Sequence, residues 1–155
     1  MQVFQANKFI DVIDRLKKAA TGSTLSYKHA AAVLLQNDVE TIGVNKYVNF
    51  GQILESSCHK TIHAEVNAYN MVPKFRLRGS FKIDIFVIRI NKTNELRYSR
   101  PCNRCIDKLR KNGVVKVYYS MDDGSIVCER VCDMPKQHVC SGDKFDMKCR
   151  DVKSK

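Results

Sequence analysis

The sequence predicts a single α/β domain in which helices alternate with the strands of one mixed sheet. Three observations lead there. An apolar stripe with helical spacing opens the chain, the segment Phe81 to Ile90 is densely β-branched, and further β-rich runs flank two more helical stretches. At 155 residues the chain has the size of one domain that can bury a core without disulfides or a structural metal as a precondition. No internal repeat or linker divides it, so residues 1–155 read as one unit.

Phe9, Val12, Ile13, Leu16, Ala19 and Ala20 recur at steps of three and four, the face of an amphipathic helix that Thr21-Gly22-Ser23 stops. Two apolar runs, Ala30–Gln36 and Val39–Val44, are split by Asn37-Asp38 and read as a hairpin. After a polar loop, His63–Val72 has helical composition and ends at Pro73. Phe81–Ile90 is the strongest strand, and a turn at Asn91–Asn94 folds Leu96-Arg97-Tyr98 back as a continuation or an added strand. Pro101 opens a third helix, Asn103–Lys111, capped by Asn112-Gly113. Val114–Ser120 and Ser125–Val131, joined by Asp122-Asp123-Gly124, should pair antiparallel. Beyond Pro135 the periodicity ends and an irregular tail is expected. The economical arrangement sets the second and third helices side by side on one face of the sheet.

A composition of 44% hydrophobic and 28% charged residues, with three Pro and seven Gly, excludes collagen-like, low-complexity and wholly disordered chains. No apolar run approaches the roughly 18 residues of a membrane span, and the N-terminus lacks the order of a signal peptide. The expectation is a soluble cytoplasmic protein in a reducing compartment, where its seven cysteines, an odd number, are thiols or metal ligands. The net charge of +11 is concentrated: residues 74–116 carry thirteen Lys/Arg against three Asp/Glu. Such a segment suits a phosphate-bearing partner, either a mononucleotide or a nucleic-acid strand, and its bland reading is a solvated face.

Chemistry concentrates at two helix starts. His63 precedes Ala64-Glu65, and Pro101-Cys102-Asn103-Arg104-Cys105 opens the third helix. One imidazole and two thiolates make a tetrahedral zinc set with its fourth position left for water, the catalytic type of site. Glu65, two residues past the ligand His63, is placed to shuttle that water's proton. Alone, Cys102-x-x-Cys105 fits redox or metal roles, and His63-x-Glu65 fits an ordinary polar helix start. Together they form the signature of zinc deaminases acting on cytosine or adenine rings.

Through His63-Ala64-Glu65-Val66-Asn67-Ala68 and Pro101-Cys102-x-x-Cys105, the chain resembles the cytidine and deoxycytidylate deaminase superfamily over about Gly43 to Ser120. The resemblance implies a cytidine deaminase-like fold, a mixed five-stranded sheet with the zinc-binding helices on one face. It implies hydrolytic conversion of cytosine to uracil with release of ammonia, and assembly as a homo-oligomer. It also makes Gly43-Val44-Asn45 similar to the family's Gly-x-Asn, whose Asn contacts sugar or base, and assigns the Ala64 amide to the pyrimidine carbonyl. Without the resemblance, Gly43-x-Asn45 reads as a strand-end turn.

The substrate clues divide. The His63–Ala68 motif is most similar to deoxycytidylate deaminases, and Arg97, Arg100 and Arg104 beside the ligands suit a phosphate, with Arg100 and Arg104 as the substrate-binding candidates. The hairpin after Val114–Ser120 instead resembles free-nucleoside and toxin-type branches. A free pyrimidine nucleotide or nucleoside (dCMP, CMP, cytidine) is the first expectation. Editing of single-stranded DNA or RNA is the second, and an inactive zinc-stabilised binding module is the third. A second metal site from Cys128, Cys132, His138 and Cys140, with Cys149, matches no standard spacing, and Cys58-His59 reads as surface.

Overall fold

In the computed structural model, residues 1–4, 9–48, 61–79 and 81–140 are described. The strands are β1 (Gln2–Phe4), β2 (Lys28–Leu35), β3 (Asp38–Val44), β4 (Lys46–Tyr47), β5 (Thr61–Ile62), β6 (Ile83–Ile90), β7 (Leu96–Arg97), β8 (Val114–Ser120) and β9 (Ile126–Arg130). The helices are α1 (Ile10–Ala20), α2 (Ala64–Asn70), α3 (Lys74–Leu77) and α4 (Asn103–Lys111). A 3-10 turn, Val131–Asp133, follows β9.

Alternation along the central strands sorts the core into two halves. Ala31, Val33 and Leu35 of β2 and Ile83, Ile85 and Val87 of β6 join Ala64 and Ala68 of α2 and Ile106 and Leu109 of α4. Ala30, Ala32 and Leu34, with Phe86, Ile88 and Ile90, meet Ile13, Leu16 and Ala20 of α1. A strand buried on both faces must be apolar at every position, which is why β2 and β6 read as continuous runs. The result is an α/β/α sandwich with α1 on one side and α2 and α4 on the other.

The main sheet runs β1-β9-β8-β6-β2-β3, with β7 added at the end of β6. Among the described residues only β6 and β8 are parallel, and α4 lies on the crossover between them. The hairpin β2–β3 turns on Gln36 and Asn37, both at positive φ, as a two-residue connection demands. The third helix, the Val114–Ser120 strand and the antiparallel β8–β9 hairpin stand where the sequence places them.

The sheet has seven strands where five were expected. The extra members, β1 and β7, have three and two residues, too short for any periodicity, and each is defined by a partner distant in sequence or by a turn. Residues 136–140 have no regular secondary structure, as expected past Pro135. Cys58, His59 and Cys149, and the tail from residue 141 on, lie outside the described residues. Among those described, no helix is long and apolar enough to cross a membrane.

Candidate metal centre and active site

Each of the two helices begins at a metal-ligand candidate. His63 occupies the N-cap of α2 with extended backbone, and its carbonyl accepts the first helical bond, from Asn67 N at 2.9 Å. Cys102 is the N-cap of α4 in the same conformation, and its carbonyl accepts from Ile106 N at 2.9 Å. Cys105 stands one turn on. The helix packing brings His63 Nδ1 within 3.2 Å of Cys105 Sγ and 3.6 Å of Cys102 Sγ, and all three donor atoms lie within 4.8 Å of one another.

Zinc bonds of about 2.05 Å to nitrogen and 2.3 Å to sulfur imply a nitrogen–sulfur edge of about 3.6 Å in a tetrahedron. The edge to Cys102 equals it and the edge to Cys105 is about 0.4 Å shorter, and the nitrogen–sulfur donor set is one that zinc prefers, so the residues fit the ion. Among the described residues this is the single group of three or more His, Cys, Asp or Glu side chains able to hold a metal. The alternative cluster at Cys128, Cys132, His138 and Cys140 does not assemble: Cys128 lies buried on β9, and Cys132 is exposed after it.

The electrostatics favour ligation and proton transfer. A hydrogen bond with Cys105 and contact with His63 bring the Cys102 thiol down to about 4, a thiolate ready for metal, while the same hydrogen bond and burial push Cys105 up. Glu65, in the first turn of α2, is 5% exposed. Burial raises its carboxyl above the ordinary range, opposed by the positive charge of His63 and reinforced by the negative charge of Cys102. A carboxyl shifted up toward neutrality is better matched to taking and returning a proton than one at its ordinary value.

The other candidate residues take different positions. Ala64 is fully buried as the first residue of α2, where a backbone amide has no intrahelical acceptor. Asn45 is buried and braces the start of β2. Its Oδ1 accepts from His29 N at 2.9 Å and Ser23 Oγ at 2.7 Å, and its Nδ2 donates to the Tyr27 carbonyl at 2.6 Å. Arg104 is exposed on the first turn of α4.

Arg100 differs from the expectation of a substrate cation. Its side chain turns away from solvent, pairs with Glu129 of β9 at 3.3 Å, and donates through Nη2 to the Pro135 carbonyl at 2.9 Å. It braces the loop that delivers Cys102. Ser99 helps, since its Oγ donates to the Val87 carbonyl at 2.9 Å and its amide to the Ser120 carbonyl at 3.0 Å.

Sequence reasoning missed His29. It is half-buried on β2, and burial lowers its pKa to about 4, with the charges of Arg89 and His63 adding to the effect and that of Cys102 opposing it. Its proximity to the ligands depends on strand register, which no local motif carries.

A pair of helix starts whose side chains can hold zinc, on an α/β/α sheet and with a buried carboxyl beside it, is the arrangement of a zinc hydrolase of the deaminase type. The family model for the cytidine and deoxycytidylate deaminase zinc-binding region matches residues 5–121. The chain belongs to that family and is a zinc-dependent deaminase. Its fold is similar to that of cytidine deaminase from Burkholderia pseudomallei, with a TM-score of 0.57 and 18% identity over 80% of this chain and 93% of the other. It is also similar to cytidine deaminase from Mycobacterium leprae (TM-score 0.50, 16% identity, 80% and 97% covered). A third likeness is to a mutant cytidine deaminase from Mycobacterium tuberculosis (TM-score 0.51, 15% identity, 82% and 92% covered). No curated protein matches the chain.

Proposed function

We propose that the chain hydrolyses the C4–amine bond of cytosine in a free nucleotide or nucleoside (dCMP, CMP or cytidine), giving the uracil product and ammonia. The observation that supports this reading is the buried Glu65 carboxyl in the same helical turn as the metal-ligand candidate His63. In this reading His63, Cys102 and Cys105 hold zinc, whose Lewis acidity makes water nucleophilic at neutral pH. Glu65 takes the proton that water gives up and delivers protons to ring N3 and to the departing amine. The Ala64 amide donates to the pyrimidine carbonyl and fixes the ring. Asn45 serves the sugar side by holding Tyr27 and His29 in place, and Arg104 adds positive charge at the start of α4.

The alternative of editing a nucleic-acid strand calls for aromatic stacking surfaces. Of the four aromatics in the basic segment, Phe86 is fully buried and Phe81 half-buried. Phe75 and Tyr98 are exposed but sit on different elements. This favours a free substrate.

The test is to incubate zinc-loaded protein with cytidine, CMP, dCMP and a cytosine-containing single strand, following ammonia and uracil. Glu65→Gln is expected to keep its zinc and lose activity by roughly 100-fold or more. Full activity in that variant would remove Glu65 from the mechanism, and turnover of the strand alone would transfer the protein to editing.

A further inference from the structure

Four arginines are partly or fully withdrawn from solvent, and three of them have a carboxylate. Arg76 pairs with Glu40 at 3.0 Å, Arg97 with Glu95 at 3.1 Å and Arg100 with Glu129 at 3.3 Å. Arg89 is the exception. Its guanidinium has no ion pair or hydrogen bond among the described residues, and it lies over the ring of Tyr27, 5.3 Å from the centroid. Tyr27 itself is 67% exposed, so the cation rests on an open aromatic face. A half-buried guanidinium with all its fork donors uncommitted is suited to an external oxyanion.

Strand parity fixes where this cation points. Ile83, Ile85 and Val87 of β6 face α2 and α4, and Arg89 continues that row by one step. His29 is directly opposite Arg89 across the β2–β6 ladder and continues the row of Ala31 and Val33. Both therefore lie on the face that carries the metal ligands, at the end of the sheet from which the loop to Cys102 departs. The charges of Arg89, His63 and Cys102 all act on the His29 ring, so the strand pair and the metal-ligand candidates are neighbours on this face.

His29 has two neighbours at Nδ1, the Tyr27 carbonyl at 3.2 Å and Asn45 Nδ2 at 3.5 Å, and the shorter contact, to the carbonyl, is attractive when Nδ1 carries the proton. In the neutral ring Nε2 is then an acceptor, and it has no partner among the described residues. The pair thus presents one acceptor and one anion receptor side by side on the face of the metal ligands.

We infer that His29 and Arg89, with Tyr27 supporting the guanidinium, form the sugar-phosphate subsite of the metal centre: His29 Nε2 accepts from a sugar hydroxyl and Arg89 receives the phosphate of a nucleoside monophosphate. The inference rests on the deaminase reading of the same site and deepens it by selecting monophosphates over nucleosides. The phosphate belongs to a free nucleotide, and the same group in a strand is the competing source.

The experiment measures kcat and KM of zinc-loaded wild type, Arg89→Gln, Arg89→Lys and His29→Gln on CMP, dCMP, cytidine and a cytosine-containing oligonucleotide, and calorimetric binding of UMP and uridine. Zinc content and circular dichroism report folding. In wild type, CMP or dCMP is expected to exceed cytidine in kcat/KM and UMP to bind more tightly than uridine. Arg89→Gln should cut the monophosphate-to-nucleoside ratio by roughly tenfold or more, chiefly through KM, with part recovered in Arg89→Lys. His29→Gln should weaken nucleotide and nucleoside alike, since both carry the sugar. An unchanged ratio in Arg89→Gln, or a His29→Gln variant with wild-type constants, would overturn the subsite while leaving the deaminase reading intact. Arg89-dependent turnover of the oligonucleotide in preference to CMP would overturn the monophosphate assignment. If wild type deaminates no cytosine compound, the functional reading fails separately. UMP binding would then still decide the subsite: Arg89-dependent affinity supports it, and Arg89-independent or absent binding refutes it.

Discussion

The starts of α2 and α4 present ligands to the same point but are anchored by opposite means. α2 is set directly on the sheet backbone. A β-carbon at Gly43 of β3 would lie 2.4 Å from Ala68 N and 2.8 Å from Ala68 Cα, so only glycine permits the approach. Thr41 Oγ1 donates to the Ala68 carbonyl at 2.8 Å and Asn67 Nδ2 to the Val44 carbonyl at 2.9 Å, sealing the contact.

The start of α4 is held by chain that follows it. Besides the Arg100–Glu129 pair, Asn103 exchanges two hydrogen bonds with His138, its amide reaching the His138 carbonyl at 2.8 Å and its Oδ1 accepting from His138 N at 3.0 Å. At the other end of the helix Arg110 Nη2 donates to the carbonyls of Val131 at 3.0 Å and Met134 at 3.3 Å. The difference teaches that the histidine half of the metal centre is fixed by steric fit. The cysteine half is fixed by a polar strap that closes after β9, and each half can be broken without touching a ligand.

Breaking the strap should have the largest effect. Arg100 is buried, its Nη1 has no partner among the described residues, and Glu129 carries its compensating charge. Glu129→Leu leaves that charge unpaired, which typically costs about 3–5 kcal/mol. Arg100→Met combined with Glu129→Leu should recover part of the loss, because the apolar pair needs no compensating charge while the buried Tyr119 hydroxyl, which donates to Glu129, still lacks its acceptor. Urea unfolding of wild type and both variants measures the two effects. A loss below about 1 kcal/mol in Glu129→Leu would show that the ion pair does not hold α4.

Next comes the steric anchor. Gly43→Ala forces α2 away from β3, an overpacking expected to cost about 1–3 kcal/mol and to weaken zinc binding as His63 moves with its helix. Gly113→Ala provides the contrast. That residue sits at φ +72 with nothing within 4 Å of its virtual β-carbon, so it should lose about 1 kcal/mol from backbone strain and keep its zinc affinity. Thermal melts and zinc competition titrations separate the two. Equal zinc affinity in both variants would refute the claim that Gly43 positions His63.

The two anchors also differ in how far the sequence discloses them. Gly43 lies in a recognisable Gly-x-Asn, and the bounds of α4 are punctuated by Pro101 before and Asn112-Gly113 after, so local chemistry is enough to find them. The metal triad is legible for the same reason: ligand types and spacing are local to each helix start. Arg100 misleads because its neighbour in sequence is Cys102, whereas its partner Glu129 is 29 residues downstream and only the folded hairpin of β8 and β9 brings it near. His29 and Arg89 each look ordinary in their own strands. Their meaning comes from the register of β2 on β6, a tertiary quantity. β1 is found only because β9 offers it an edge.

Acid should sharpen the contrast, because the titrating group belongs to the strand pair that carries α2. Burial lowers His29 from 6.5 to about 4. As pH falls below 6.5 the unfolded chain takes up a proton at this residue while the folded chain does not, so folding stability declines until about pH 4, where the folded form is protonated as well. With allowance for residual exposure, the loss should be on the order of 1–2 kcal/mol. His29→Gln removes the group, and in the difference between the two proteins the protonation of carboxylates distant from His29 cancels. The wild-type advantage or deficit measured by urea unfolding at about pH 7 should therefore shift against wild type between pH 6.5 and about 4. Parallel curves through that window would mean that the imidazole is no better solvated in the unfolded chain than on β2, and the burial that closes the metal face at this edge would have to be abandoned.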